Sequence, residues 1–245
     1  MQKIYNSAKN VTFLDRFFER LYDVPYGAMV DGTWGYAGHQ HDFNVPDEGL
    51  MRIALDKVPT GGLCNLDIEP SFDHLDQPEL NLHLADWRNP DHDVPVNVRL
   101  KFLTLAKKIR PDVKFSLYGV PHTVPKGFDT RANTFLHDRE IAARRLITEQ
   151  DFLCISAYGN GLSWAKWQRR VDAKYGAAKL YHNDKPLMFM VGHETEYGVD
   201  DWQAWGRRLD YLASLRNDGI IYWAMQKTVD IPWWVGLKLW DIRQR

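Results

Sequence analysis

Short apolar runs bounded by Gly, Pro and polar residues recur along the chain, separated by longer segments whose apolar positions repeat every three to four residues. The runs are Tyr26–Val30, Gly62–Ile68, Val113–Tyr118, Phe152–Tyr158, Pro186–Val191 and Gly219–Ala224. Continuous apolar stretches of this length are what strands covered on both faces look like. Helices are expected between them at Val96–Ile109, His137–Thr148 and Asp201–Arg216. In the first, Val98, Phe102, Leu105 and Ile109 fall on one stripe, and Arg110-Pro111-Asp112 ends it. Asp200 or Asp201 would cap the third.

Strand–helix–strand alternation with short connections predicts a parallel sheet with right-handed crossovers. An open doubly wound sheet should carry a glycine-rich turn after an early strand, and Asp31-Gly-Thr-Trp-Gly-Tyr-Ala-Gly38 after Val30 is not GxGxxG. The expected fold is therefore α/β, a single (β/α)8 TIM-type barrel over residues 1–245, irregular at its N-terminal strands; a length of 245 residues fits it. Val11–Leu14 and Trp234–Leu239 are the candidates for the two strands not yet assigned. No linker or internal repeat divides the chain.

Composition changes this picture in two places. With 44% hydrophobic and 26% charged residues and a net charge of −1, the chain has the balance of a soluble globular domain. It has no electrostatic footprint for nucleic acid, and no apolar run approaches the roughly 20 residues of a membrane span. The first residues lack the apolar core of a secretory signal, which leaves a cytoplasmic, a phage-borne and a mature secreted protein all open. Cys64 and Cys154 sit inside predicted strands and read as buried, reduced thiols. The second change is aromatic: 13% of the chain is Phe, Trp or Tyr, with 10 tryptophans. Indole suits the apolar C–H face of a sugar while its N–H bonds hydroxyls, although any one of these rings could simply fill the core.

The sharpest chemistry lies in Gly61-Gly-Leu-Cys-Asn-Leu-Asp-Ile-Glu-Pro70. Alternation along a strand puts Asn65, Asp67 and Glu69 on one face and Cys64, Leu66 and Ile68 on the other. The apolar set belongs under the helices, so the carboxylates should point inward at the strand's C-terminal end, where barrel enzymes keep their catalysis. Their Cα atoms would lie about 6.6 Å apart. Two carboxylates so close repel, which raises the pKa of one and suits it to donate a proton. Asp67 below Glu69 would orient it or hold a substrate acetamido group rather than attack from across the sugar. The alternative is a buried carboxylate paired with Arg or Tyr.

Other strand ends agree. Ser116 and Tyr118 share a face, as do Ser156 and Tyr158, and each tyrosine precedes a glycine. Tyr158 is a catalytic candidate, and Tyr118 with the nearby His122 a substrate-binding one; the alternative for each phenol is a core tyrosine bonded to backbone. Glu194 is the candidate for a second catalytic carboxylate, arriving from a different strand. Asp31, Asn65, Gln226 and the indoles of Trp87, Trp164 and Trp223 complete the expected substrate-binding set. Trp87 lies in the long segment 70–95, with His74, His83 and His92. No HExxH or comparable ligand spacing occurs, so neither a metal nor another cofactor is expected. GxSxG and P-loop patterns are missing as well.

The strand Leu66-Asp67-Ile68-Glu69 resembles the acidic strand of barrel glycosidases such as hyaluronidases and chitinases, in which an Asp two residues before a Glu assists the acid. Lys114-Phe-Ser-Leu-Tyr-Gly-Val-Pro121 is similar to the next hyaluronidase strand. A hyaluronidase-like or agarase-like pattern continues through Ser156–Tyr158, Lys185-Pro186 and Asp218-Gly219 with Trp223, so the likeness spans residues 60–225. It implies a glycoside hydrolase of polysaccharides with Glu69 as general acid and Asp67 as its partner. Pro70-Ser71-Phe72 stands where the family has an aromatic-rich continuation, and the disulfides of secreted hyaluronidases are absent. Two other readings of the same residues stay open: a non-catalytic carbohydrate-binding barrel, and a peptidoglycan-directed muramidase. Oligomeric state is not legible.

Overall fold

The computed structural model describes residues 4–6, 27–30, 46–56, 58–66, 95–118, 145–159, 161–181, 184–192, 194–195, 198–199, 201–222 and 233–244. The strands are β1 (Ile4–Asn6), β2 (Gly27–Val30), β3 (Leu63–Leu66), β4 (Lys114–Leu117), β5 (Leu153–Ser156), β6 (Leu187–Val191), β7 (Glu194–Thr195), β8 (Gly198–Val199) and β9 (Gly219–Tyr222). The helices are α1 (Glu48–Leu55), α2 (Pro95–Ile109), α3 (Trp164–Tyr181), α4 (Trp202–Ser214) and α5 (Trp233–Gln244). Residues 145–149 are helical as well. All six predicted runs contain a strand.

The fold is α/β with short parallel strands. One sheet has four strands in the order β1-β9-β6-β5, a second has three in the order β2-β3-β4, and β7 and β8 form a small antiparallel hairpin. The first strand of the chain thus lies against β9, with Ile4 opposite Ile220 and Asn6 opposite Tyr222. No closed ring of ladders is formed among the described residues.

Alternation sorts the strand residues into two cores. Cys64, Leu66, Phe115, Leu117, Leu153, Ile155, Leu187, Phe189, Val191, Ile220 and Tyr222 join the helices in a large cluster. The residues between them, Phe152, Cys154, Met188, Met190 and Ile221, join Tyr158 in a second, smaller one. Leu63 and Tyr118, from the three-stranded sheet, pack against this second cluster, so it binds the two sheets together. Both faces being apolar is why the runs read continuously rather than alternately.

Where the two sheets meet, side chains replace a ladder. Asp151 N–H donates to Phe115 O (2.8 Å), and Phe115 N–H donates back to Asp151 Oδ2 (2.9 Å). Two residues on, Leu117 N–H donates to Gln150 Oε1 (2.7 Å), whose amide in turn donates to Leu146 O (3.0 Å). The same device recurs at β6, where Leu187 N–H donates to Asp218 Oδ2 (2.8 Å) and Asp218 N–H to Leu187 O (2.7 Å). The Asp151 and Asp218 carboxylates act just before β5 and β9, at the N-terminal ends of those strands.

Several expectations change. Trp234–Leu239 is not a strand but part of α5, which buries Val235, Leu239 and Ile242 at helical steps of four and three. The additional strands are β1 and the hairpin strands β7 and β8, while Val11–Leu14 lies outside the described residues. In α2 the buried positions among the described side chains are Arg99, Leu100, Phe102, Leu103 and Ala106, and Leu105 and Ile109 are only half-buried. Asp201, of the two aspartates considered, caps α4 by accepting from Ala204 N–H (2.7 Å). No described helix is long and apolar enough to cross a membrane.

Candidate functional site

The inward residues become polar toward the C-terminal ends of the strands. On β3 Leu63 is followed by Asn65; on β4 the inward positions are Ser116 and then Tyr118; on β5 they run Phe152, Cys154, Ser156, Tyr158. Asn65 faces Ser116 in register, and Ser156 faces Met190, which in turn faces Ile221. A layer of Cys154 and Met188 therefore underlies a layer of amide and hydroxyl groups.

Within that layer Ser116 Oγ donates to Asn65 Oδ1 at 2.6 Å, and both residues are buried. This bond fixes the amide and turns Nδ2 away from β4. Asn65 Nδ2 is buried and has no hydrogen-bond partner among the described residues. An N–H2 group in that state costs free energy, which the fold tolerates when a ligand or a neighbouring carboxylate is to receive it. Tyr118 Oη lies 3.5 Å from Ser156 Oγ, and the Tyr118 and Tyr158 rings stack with centroids 6.4 Å apart and planes 30° apart. Asn65, Tyr118 and Tyr158, expected together, thus occupy one inward face at one end of the strands.

Trp164 is placed differently. It opens α3 and packs against the helix-side core, tilted against Trp167 (5.3 Å) and edge-on to Tyr211 (5.7 Å). The Arg207 guanidinium covers one of its faces, 4.0 Å from the ring centroid. Glu194 is the first residue of the β7–β8 hairpin, just past the C-terminal end of β6. Asp31, Asp67, Glu69, Trp87, His122, Trp223 and Gln226 lie outside the described residues, as does most of the segment 70–95. Lys185, quoted above in the Lys-Pro strand, sits at the opposite end: its Nζ donates to Ile147 O (3.2 Å) and to the carbonyls of Thr148 and Gln150, closing the C-terminus of the 145–149 helix. Its ammonium is held below the usual lysine range, first by desolvation and then by Lys107.

Neither cysteine forms a disulfide and both are buried, and burial pushes the Cys154 thiol up to about 12, so it is inert in this setting. The pattern of the sequence did not single out two residues that support the strand ends from behind. Trp167 Nε1 donates to Ala157 O (3.0 Å) and Lys174 Nζ to Ser156 O (3.1 Å). Their signal is a stripe, Trp167, Val171, Lys174 and Ala178 at steps of four, three and four, interrupted by one charge. Compared with protein-family models and with curated proteins, the chain finds no match in either.

Proposed function

We propose that the protein is a glycoside hydrolase acting on a polysaccharide, with Glu69 as general acid assisted by Asp67, built on a closed (β/α) barrel. The observation that carries the reading is the polar layer of Asn65, Ser116, Tyr118, Ser156 and Tyr158 on the inward face of the C-terminal strand ends. Alternation carried two and four residues beyond Asn65 brings Asp67 and Glu69 to the same face. Barrel closure is supported by the pairing of β1 with β9, the first and last parallel strands, and by ladders that otherwise follow chain order. An open doubly wound sheet would put its first strand at the centre and reverse the order there.

In this reading Glu69 protonates the glycosidic oxygen as the bond to the anomeric carbon breaks. Positive charge grows on the sugar, either Glu194 or the substrate's own acetamido oxygen meets it, and a water then adds to the anomeric carbon, returning a proton to Glu69. Asp67 holds that group or raises the pKa of Glu69 by repulsion. Asn65 Nδ2 supplies a donor to the carboxylate or to the sugar, and the phenols of Tyr118 and Tyr158 flank the ring.

The test is reducing-end release from hyaluronan, chitin, agarose and cell-wall glycan by the wild type and by Glu69→Gln. Release by the wild type that disappears in the variant supports the assignment, and release from cell-wall glycan alone selects a muramidase. Undiminished release by the variant removes Glu69 from the acid's role. Silence across the panel, with one glycan still retarding the protein on a gel, replaces the hydrolase with a carbohydrate-binding barrel.

A further inference from the structure

Lys174 is buried, only 5% exposed, in the stripe that α3 packs inward, and it meets no carboxylate among the described residues. Its Nζ donates to Ser156 O at 3.1 Å, and Trp167, two turns earlier, donates to the next carbonyl, Ala157 O, at 3.0 Å. Those two consecutive peptide units are the last before Tyr158. A helix that reaches over a strand end to grip both of them fixes where the following side chain points. We propose that Lys174 is a positioning residue for Tyr158, holding from the helix layer the peptide units that aim its phenol into the polar layer.

A leucine or methionine in the same stripe would satisfy packing at lower cost, so the amine is kept for its bond. That bond depends on charge, since an ammonium donates to a carbonyl about twice as strongly as a neutral group does. Desolvation, followed by Arg170 on the same helix, brings the Lys174 ammonium down to about 7. The Cys154 thiol stays protonated and offers no counter-charge. The grip on Ser156 O therefore tightens below neutral pH and slackens above it.

The inference rests on the reading of Tyr158 as a site residue, and its test needs no substrate, so it stands or falls apart from the hydrolase assignment. The protein is labelled with ring-13C tyrosine, and Tyr158→Phe identifies the Tyr158 signal among the 11 tyrosines by carbon–proton NMR. Between pH 5.5 and 8.5, well below phenol ionisation, that signal shifts in the wild type with one midpoint near 7. It stays flat in Lys174→Met and rests at its acidic position in Lys174→Arg, whose guanidinium keeps its charge. A Tyr158 signal that does not move in the wild type overturns the proposal. So does one that titrates as before in Lys174→Arg, the variant that decides the matter should Lys174→Met fail to fold.

Discussion

Asp151 takes the place of a strand residue beside Phe115, giving its amide to the Phe115 carbonyl and accepting the Phe115 amide on its own carboxylate. The same carboxylate receives Lys107 Nζ at 2.8 Å, which ties α2 to the junction of the two sheets. One short segment, Gln150-Asp151, thereby satisfies the edge of β4 that faces β5 and leaves no backbone donor of Phe115 or Leu117 unpaired.

Removing that carboxylate strands a buried amide. Asp151→Ala should destabilise the fold by about 1–3 kcal/mol, the cost of an unsatisfied buried N–H with a partly exposed ion pair lost beside it. Asp151→Asn keeps an acceptor and should recover much of the loss. Urea unfolding followed by Trp fluorescence measures both, and equal losses in the two variants would contradict the assigned role of the acceptor.

The Asn65–Ser116 pair separates stability from function. Ser116→Ala leaves Asn65 Oδ1 bare inside the protein and should cost about 1–3 kcal/mol. Asn65→Leu leaves the Ser116 hydroxyl without its acceptor but also removes the unpartnered Nδ2, so it strands one buried group where Ser116→Ala strands two and should cost less despite being the more drastic change. Under the proposed function it should nonetheless lower turnover at least tenfold. A thermal melt beside an activity assay reads the contrast, which vanishes if Asn65 is merely structural.

How much of this was legible follows from which signals are local. The strands were, because residues such as Phe115, Ile155 and Phe189 are covered on both sides and leave uninterrupted apolar runs. β1 was not: three residues, Ile-Tyr-Asn, carry no pattern, and only pairing with β9 makes them a strand. α5 was misread because Trp-Trp-Val-Gly-Leu-Lys-Leu-Trp is apolar nearly all round, with Leu237 exposed, so period could not be told from run. The inward order Asn65, Ser116, Tyr118, Ser156, Tyr158 was legible from alternation alone. Lys174 was not, since a lysine in a helix reads as solvent-facing unless the stripe around it is traced.

The two thiols should be silent in the folded protein. Cys64 and Cys154 are buried, and the Cys154 thiol, pushed up to about 12, supplies almost no thiolate at neutral pH. Ellman's reagent at pH 8 should therefore react with neither over the time in which the unfolded chain in guanidinium releases both equivalents. Rapid reaction of either thiol in native buffer would place it near the surface.

Lys174 makes a pH-dependent contribution whose sign is fixed. Its folded value, about 7, lies below the 10.5 of a free lysine, so between those values the unfolded chain binds the proton that the folded chain releases. Stability due to this group therefore rises as pH increases from about 7 toward 10.5, and the penalty of a buried ammonium is fully present below 7. Lys174→Met removes that penalty and gives up one hydrogen bond to Ser156 O. The net gain should be on the order of 1–3 kcal/mol at pH 6, less than the full shift because the bond is lost and the site relaxes. It should shrink steadily toward pH 9.5, where the wild-type amine is neutral in the folded state and loses its proton more easily from the unfolded one. Urea midpoints of the two proteins at pH 6, 7.5 and 9.5 test this. A difference that stays constant with pH would mean that the Lys174 amine keeps its charge throughout, and that water or a carboxylate reaches it.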